Sequence, residues 1–142
     1  MVDREIVATR LSKLREALRK LHAIAAKPRA EYLGSETDRA LSEHYLRLAL
    51  EAALDVGNHV IAAKGLRKPL ELREIPIVLA ESGIVSQPLG DKLARAAGLR
   101  NRLVHAYADI DHTIIYDILQ TDLGELERYA EAIANLCAQE RK

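Results

Sequence analysis

Apolar residues recur at steps of three and four positions along most of this 142-residue chain, which is the spacing of one buried helix face. The first such run extends over about residues 4–26 and stops before Pro28, because proline disrupts a helix interior. The second run extends over about residues 36–64, with Ser35 before it as a capping residue and Gly65 after it. The pattern therefore predicts two long amphipathic helices in the first half of the chain.

The second half of the chain carries three more helical patterns. Residues 70–82 contain Pro76 and stop at Gly83, which indicates a short helix with a kink or a late start. Ser86 is a suitable cap for a fourth helix, and Asp111 for a last helix that continues almost to the C-terminus. The apolar stripe of the last helix has one acidic interruption and consists of Ile115, Ile118, Asp122, Leu126, Tyr129, Ile133 and Leu136.

No segment shows the two-residue alternation of a strand, and no internal repeat is apparent. Four long helices and one short helix, joined by loops of a few residues, predict an all-α antiparallel bundle. The length corresponds to one domain, residues 1–142. Because the chain has no Phe and no Trp, we expect an aliphatic core with a few tyrosines.

Composition narrows the class of protein. Hydrophobic residues make up 49% and charged residues 30%, the balance of a globular domain, and no apolar run approaches the ~18 residues that a membrane-spanning helix needs. The N-terminus has no signal-peptide pattern, so we expect a cytoplasmic protein without membrane association. Net charge is zero, so contact with RNA has to rest on local basic segments. Such a segment runs from Lys92 to Arg102 and contains no acid.

Several polar residues fall where the helix patterns place the core. If the fourth helix is continuous, Arg100 lies on its apolar stripe, and a buried guanidinium requires a paired acid or an open cleft. On the second helix Asp55 is the candidate acid, with His59 one turn later and Glu51 and Asn58 beside them. These residues can form a network that fixes helix register, or they can orient catalytic groups of the fourth helix. A third alternative is a metal site built from Glu51, Asp55 and His59. The metal interpretation lacks a second Glu-x-x-His motif, which bundle metal sites usually have.

The segment 100–107 reads R-N-R-L-V-H-A-Y and concentrates the candidate chemistry of the chain. An arginine five positions before a histidine is a weak signal, because Arg39 and His44 share that spacing. An asparagine directly after the arginine and a tyrosine two residues after the histidine make the full pattern R-N-x-x-x-H-x-Y rare by chance. The pattern singles out Arg100, Asn101, His105 and Tyr107.

This pattern resembles the R-x-x-x-x-H motif of the HEPN superfamily, in the form found in HepT-like toxins. Residues 48–61 also resemble the second helix of that family, and the order of helices matches over nearly the whole chain. The resemblance implies a helical bundle that dimerises and acts as an endoribonuclease toxin. It also implies a partner, a nucleotidyltransferase of the MNT type that serves as antitoxin and attaches AMP to Tyr107.

Elementary chemistry supports such an activity at these residues. Histidine titrates near neutrality and can transfer the protons of RNA cleavage, whereas arginine forms two parallel hydrogen bonds to phosphate. We therefore expect His105 and Arg100 to be catalytic, with Asn101, Asp55 and His59 in support. Since arginine supplies the positive charge at the phosphate, we expect neither a metal nor another cofactor.

The spacing of the motif raises a difficulty. Five residues on an ideal helix separate two side chains by about 140°, so Arg100 and His105 of one helix do not converge on one phosphate. Either the helix is distorted after Gly98, or the motifs of two copies meet across a dimer interface. A structural alternative has Arg100 paired with Asp55, His105 on the surface and Tyr107 in the core. The functional alternative is a non-catalytic helical module that binds a nucleotide or the nucleotidyltransferase.

Overall fold

The computed structural model describes residues 2–105, apart from the His105 side chain, and residues 110–140. Every regular element in these ranges is an α-helix, which confirms the all-α class. None of the helices in the described ranges combines the length and hydropathy that a membrane span requires. The helices are α1 (Arg4–Ala25), α2 (Arg29–Leu33), α3 (Glu36–Ala63), α4 (Glu74–Glu81), α5 (Gln87–His105), α6 (His112–Thr121) and α7 (Leu123–Gln139).

The two longest helices, α1 and α3, pack against each other as an antiparallel pair. At one end, Nζ of Lys27 lies 2.9 Å from both carboxylate oxygens of Asp38, which is buried near the start of α3. At the other end, the backbone N–H of Asp3 donates to Nε2 of His59 over 3.2 Å. The remaining helices cover this pair, with α4 against α5 and α7 against α1, α3 and α5.

The boundaries of α1 and α3 confirm the helices predicted over 4–26 and 36–64 to within one residue. Their ends follow local chemistry: the Ser35 hydroxyl accepts a hydrogen bond from the backbone N–H of Asp38 at 3.1 Å, and it thereby caps α3. Gly65 after α3 has φ of 65°, a left-handed conformation that glycine adopts without a Cβ clash. These ends are predictable because they depend on neighbouring residues alone.

The short helix of the second half starts at Glu74, and this late start is one of the two predicted forms. The last helix differs from the prediction. It is divided in two at Asp122, because a continuous apolar stripe would carry this exposed carboxylate into the core. Leu119 and Leu123, on the two sides of the break, are both buried.

The sequence pattern also missed a helix, α2, between the two long ones. It has five residues, too few for a periodic pattern to show, and it buries Tyr32 completely. The Tyr32 hydroxyl lies 2.7 Å from the Ser42 hydroxyl, so both polar groups are paired inside the core. With α2 and the divided last helix, the described ranges contain seven helices rather than the predicted five.

The helices α3 and α7 come into close contact at Gly57 and Tyr129. The Tyr129 hydroxyl is buried and donates to the carbonyl oxygen of Ala53 over 2.7 Å, and burial raises the pKa of this phenol. Gly57, one turn later on α3, has no side chain where the Tyr129 hydroxyl approaches. The helices come this close because a glycine stands at the crossing.

We expect Glu125→Gln to lower the melting temperature at pH 7 and to have a progressively smaller effect as the pH falls below 4.5. The Glu125 carboxylate of α7 lies 3.0 Å from Nζ of Lys92 on α5 and 2.6 Å from Nη2 of Arg128. The hydrogen bond from Lys92, followed by that from Arg128, lowers the pKa of Glu125 below its ordinary 4.5. The stabilisation is therefore present above pH 4.5 and is lost as the pH falls through the folded-state pKa. Thermal melts of both proteins from pH 7 downwards test this expectation, and a difference in melting temperature that stays constant with pH would contradict it.

Candidate functional site

The candidate site lies on α5, which is one continuous α-helix from Gln87 to His105. Gly98 lies inside this helix, and the helix is not interrupted after it. An interruption of the helix after Gly98 therefore does not account for the motif spacing. That the motifs of two copies meet across a dimer interface stays a prediction.

Arg100 is held at the surface of α3 by an acid. Its Nη2 lies 3.4 Å from Oε1 of Glu51, and its Nη1 donates to Oδ1 of Asn101 over 3.2 Å. The Arg100 side chain is 25% exposed, so it is largely desolvated and still reachable from solvent. The 3.4 Å separation exceeds the roughly 2.7–2.9 Å of a strong charge-assisted hydrogen bond, so Arg100 is paired without being saturated.

The acid beside Arg100 is not the one that the helix pattern indicated. Asp55 is exposed, and within the described ranges its carboxylate forms no ion pair with Arg100. The reason is geometric: Asp55 lies one turn beyond Glu51 on α3, and the Arg100 guanidinium reaches α3 at Glu51. The expected pairing of Asp55 with Arg100 is therefore wrong, while the expectation that an acid of this helix pairs with Arg100 is correct.

His59 also lies away from Arg100. His59 lies two turns beyond Glu51 on α3. Its Nε2 accepts a hydrogen bond from the backbone N–H of Asp3, so it contacts the start of α1. Within the described ranges, no three histidine, cysteine or carboxylate side chains come close enough to hold a metal ion. The metal site considered for Glu51, Asp55 and His59 is accordingly not assembled, because the first and last of these side chains bind different helices.

Sequence reasoning missed one cation of the site. Nη1 of Arg47 lies 3.2 Å and 3.3 Å from the two carboxylate oxygens of Glu51, so Glu51 stands between Arg47 and Arg100. The available signal was the four-residue spacing of Arg47 and Glu51, which places opposite charges on one helix face. That signal is common on helices, and only the approach of α5 distinguishes this pair.

The other two motif residues, His105 and Tyr107, are described in part or not at all. His105 ends α5, and its side chain is not among those described, whereas Tyr107 lies outside the described residues. The basic segment that contains the motif is partly neutralised, since Lys92 contacts Glu125 and Arg100 contacts Glu51. Arg95 and Arg102 are exposed on α5 and form no ion pair within the described ranges.

The fold and the site together define an all-α bundle with a half-buried arginine on one helix. This residue, Arg100 of α5, is paired with Glu51 of α3 and is still reachable from solvent. The family described as "Ribonuclease HepT-like" matches residues 14–133. This chain therefore belongs to the HepT-like ribonuclease family.

Individual relatives agree with this assignment. The chain is 32% identical over 88 residues to the mRNA nuclease HepT of Shewanella oneidensis, a match that spans 62% of this chain and 66% of that relative. It is 29% identical over 132 residues to the tRNA nuclease HepT of Aphanizomenon flos-aquae, covering 93% of this chain and 90% of the relative. The fold is similar to the tri-AMPylated Shewanella oneidensis HEPN toxin solved in complex with MNT antitoxin, with a TM-score of 0.86 and 22% identity over 94% of this chain and 99% of that one.

Proposed function

We propose that this chain is a metal-independent endoribonuclease and the toxin of a toxin-antitoxin pair. The observation that carries the proposal is Arg100, half-buried beside Glu51 and part of an R-N-x-x-x-H-x-Y motif in a member of the HepT-like ribonuclease family. Two relatives named as an mRNA nuclease and a tRNA nuclease support RNA as the substrate.

The chemistry assigns a role to each motif residue. His105 takes the proton of the ribose 2′-hydroxyl as that oxygen attacks phosphorus, and a histidine returns a proton to the departing 5′-oxygen. Arg100 donates hydrogen bonds to the phosphate oxygens, where negative charge increases in the transition state. Asn101 accepts a hydrogen bond from Nη1 of Arg100 and so helps to orient it.

The active unit is a homodimer in which the motifs of two chains form one cleft. The support is the continuous α5, which separates positions 100 and 105 by about 140° around its axis. In a twofold dimer each surface meets its own copy, so Arg100 of one chain and His105 of the other can approach a single phosphate.

The partner of the toxin is an MNT-type nucleotidyltransferase antitoxin, as for the Shewanella toxin solved with such a protein. Because RNA cleavage takes place where messenger and transfer RNA are found, we place the protein in the cytoplasm. Residues 1–142 form a single domain, which the span of the family match, residues 14–133, supports.

Tyr107→Phe is expected to make the toxin resistant to silencing by the nucleotidyltransferase and ATP. AMP on the Tyr107 hydroxyl would add phosphate charge two residues from His105, so the substrate phosphate would be repelled and excluded from the cleft. Intact mass and RNA cleavage are measured after incubation of each protein with the transferase and ATP. If the wild type gains no nucleotide mass, or if the Phe variant is silenced equally well, Tyr107 is not the modified residue.

Incubation of the purified protein with total transfer RNA and with messenger RNA tests the function. We expect at least one pool to be cut, with equal rates in the presence and absence of a chelator. Loss of cleavage with chelator and its return with a divalent ion would replace the metal-independent mechanism. Binding of RNA without cleavage would instead favour the non-catalytic module.

A further inference from the structure

One carboxylate on α3 is shared by two arginines, only one of which belongs to the motif. Oε1 of Glu51 lies 3.2 Å from Nη1 of Arg47 and 3.4 Å from Nη2 of Arg100. The two guanidinium groups come from different helices. Because Nη1 of Arg47 and Nη2 of Arg100 contact the same oxygen, their separation cannot exceed the sum of the two distances. Glu51 therefore brings Arg47 of α3 next to the motif arginine of α5.

The three charges do not cancel. Two guanidinium groups and one carboxylate leave one net positive charge, and arginine stays protonated at any physiological pH. The side chains of Arg47, Glu51 and Arg100 are 34%, 29% and 25% exposed, so solvent screens this charge less than it screens a fully exposed arginine. A partly desolvated site with excess positive charge attracts an anion.

Both arginines keep hydrogen-bond donors for such an anion. A guanidinium carries five N–H donors in a planar fork. The described contacts of Arg47 use Nη1 alone, which leaves Nη2 and Nε, and Arg100 uses one contact each of Nη1 and Nη2. Glu51 thus contacts one edge of each guanidinium group, and the N–H donors on the other edges can bind phosphate oxygens.

We propose that Arg47 is a second phosphate-binding residue, held beside Arg100 by Glu51, and that the cleft engages two neighbouring phosphates of the RNA backbone. The inference rests on the proposed function, because it assigns Arg100 to the phosphate that is cleaved and Arg47 to the adjacent one. Glu51 is a positioning residue, since it acts through the two arginines. The competing explanation is an ordinary helix ion pair between Arg47 and Glu51 that only stabilises α3.

Arg47→Gln separates the two explanations, because glutamine can still hydrogen-bond to Glu51 but carries no charge for a phosphate. The matched control is Arg73→Gln, which removes another arginine paired with a glutamate nearby in sequence, Glu71 at 3.1 Å. Binding of fluorescein-labelled single-stranded RNA is measured at several salt concentrations in the inactive His105→Ala background. The KM for the RNA pool that the wild type cleaves is measured in the active background.

We expect Arg47→Gln to weaken RNA binding and raise KM about tenfold, with kcat changed much less. The slope of log binding constant against log salt should decrease by about 0.7, the value for one lost phosphate contact on a single strand. Arg73→Gln should leave both quantities unchanged. Arg47→Lys should keep the salt slope and lose part of the affinity, because it retains the charge without the fork.

The outcomes test the Arg47 phosphate contact separately from the proposed nuclease activity. If the wild type cleaves RNA and Arg47→Gln shows an unchanged KM and salt slope, the second phosphate contact is wrong and the nuclease proposal stands. If RNA binding depends on Arg47 but no RNA is cleaved, the phosphate contact stands and the nuclease proposal fails. Absence of both binding and cleavage overturns both.

Discussion

Replacement of His105 with alanine is expected to slow RNA cleavage by about a thousandfold, within the range that a general acid or base contributes. Helicity and melting temperature should match those of the wild type, because the role assigned to this side chain is proton transfer rather than packing. Cleavage rates at saturating RNA, circular dichroism and thermal melts of both proteins provide the comparison.

The chain contains its own control for this substitution. His44 also follows an arginine, Arg39, by five positions, but it is exposed on α3, and the Arg39 guanidinium donates to the carbonyl of Leu33 instead. His44→Ala should therefore cleave RNA at the wild-type rate. Equal activity of His105→Ala and His44→Ala would remove His105 from the mechanism.

Gly57→Ala is expected to lower the free energy of unfolding by about 3 kcal/mol, which corresponds to a decrease of roughly 10 °C in melting temperature. A Cβ on Gly57 would overlap the hydroxyl oxygen of Tyr129 and lie 2.8 Å from Cγ2 of Ile75. Either α7 moves away from α3, or the buried hydrogen bond from Tyr129 to Ala53 is lost. Urea denaturation of wild type and variant measures the difference.

Gly98→Ala is the matched control, because Gly98 is also a helical glycine. Among the described residues, no atom apart from its own helix backbone and chain neighbours lies within 4 Å of the position that its Cβ would take. Alanine in a helix interior is favoured over glycine by about 0.5–1 kcal/mol, so this variant should be slightly more stable than the wild type. If Gly57→Ala were equally well tolerated, α3 and α7 would not be in the close contact that the structure shows.

Local signals explain why much of the fold can be predicted from the sequence. The limits of α1 and α3 follow from an apolar stripe together with a cap or a terminating residue nearby, such as Ser35 or Gly65. Asp111 was likewise predicted to cap the helix that follows it, and its carboxylate accepts a hydrogen bond from the backbone N–H of Thr113 at 2.9 Å. Each of these signals depends on residues a few positions apart.

Long-range contacts explain what the sequence could not provide. Asp55 and Glu51 are both acids on α3, one turn apart, and the choice of Glu51 as the partner of Arg100 depends on where α5 approaches. The periodic pattern of apolar residues does not show where α5 meets α3. The break at Asp122 is a similar case, since an acid within an apolar stripe can be buried with a partner or can divide the helix. The role of Arg47 emerges only when two helices meet at one carboxylate.

The most direct test of the account is to combine two inactive chains in one dimer. Arg100→Ala and His105→Ala are coexpressed with different tags, and mixed dimers are isolated by sequential purification on both tags. If catalysis takes Arg100 from one chain and His105 from the other, each mixed dimer retains one such pair. RNA cleavage should then return well above that of either variant alone. Mixed dimers as inactive as their parents would contradict a cleft shared between two copies of this chain.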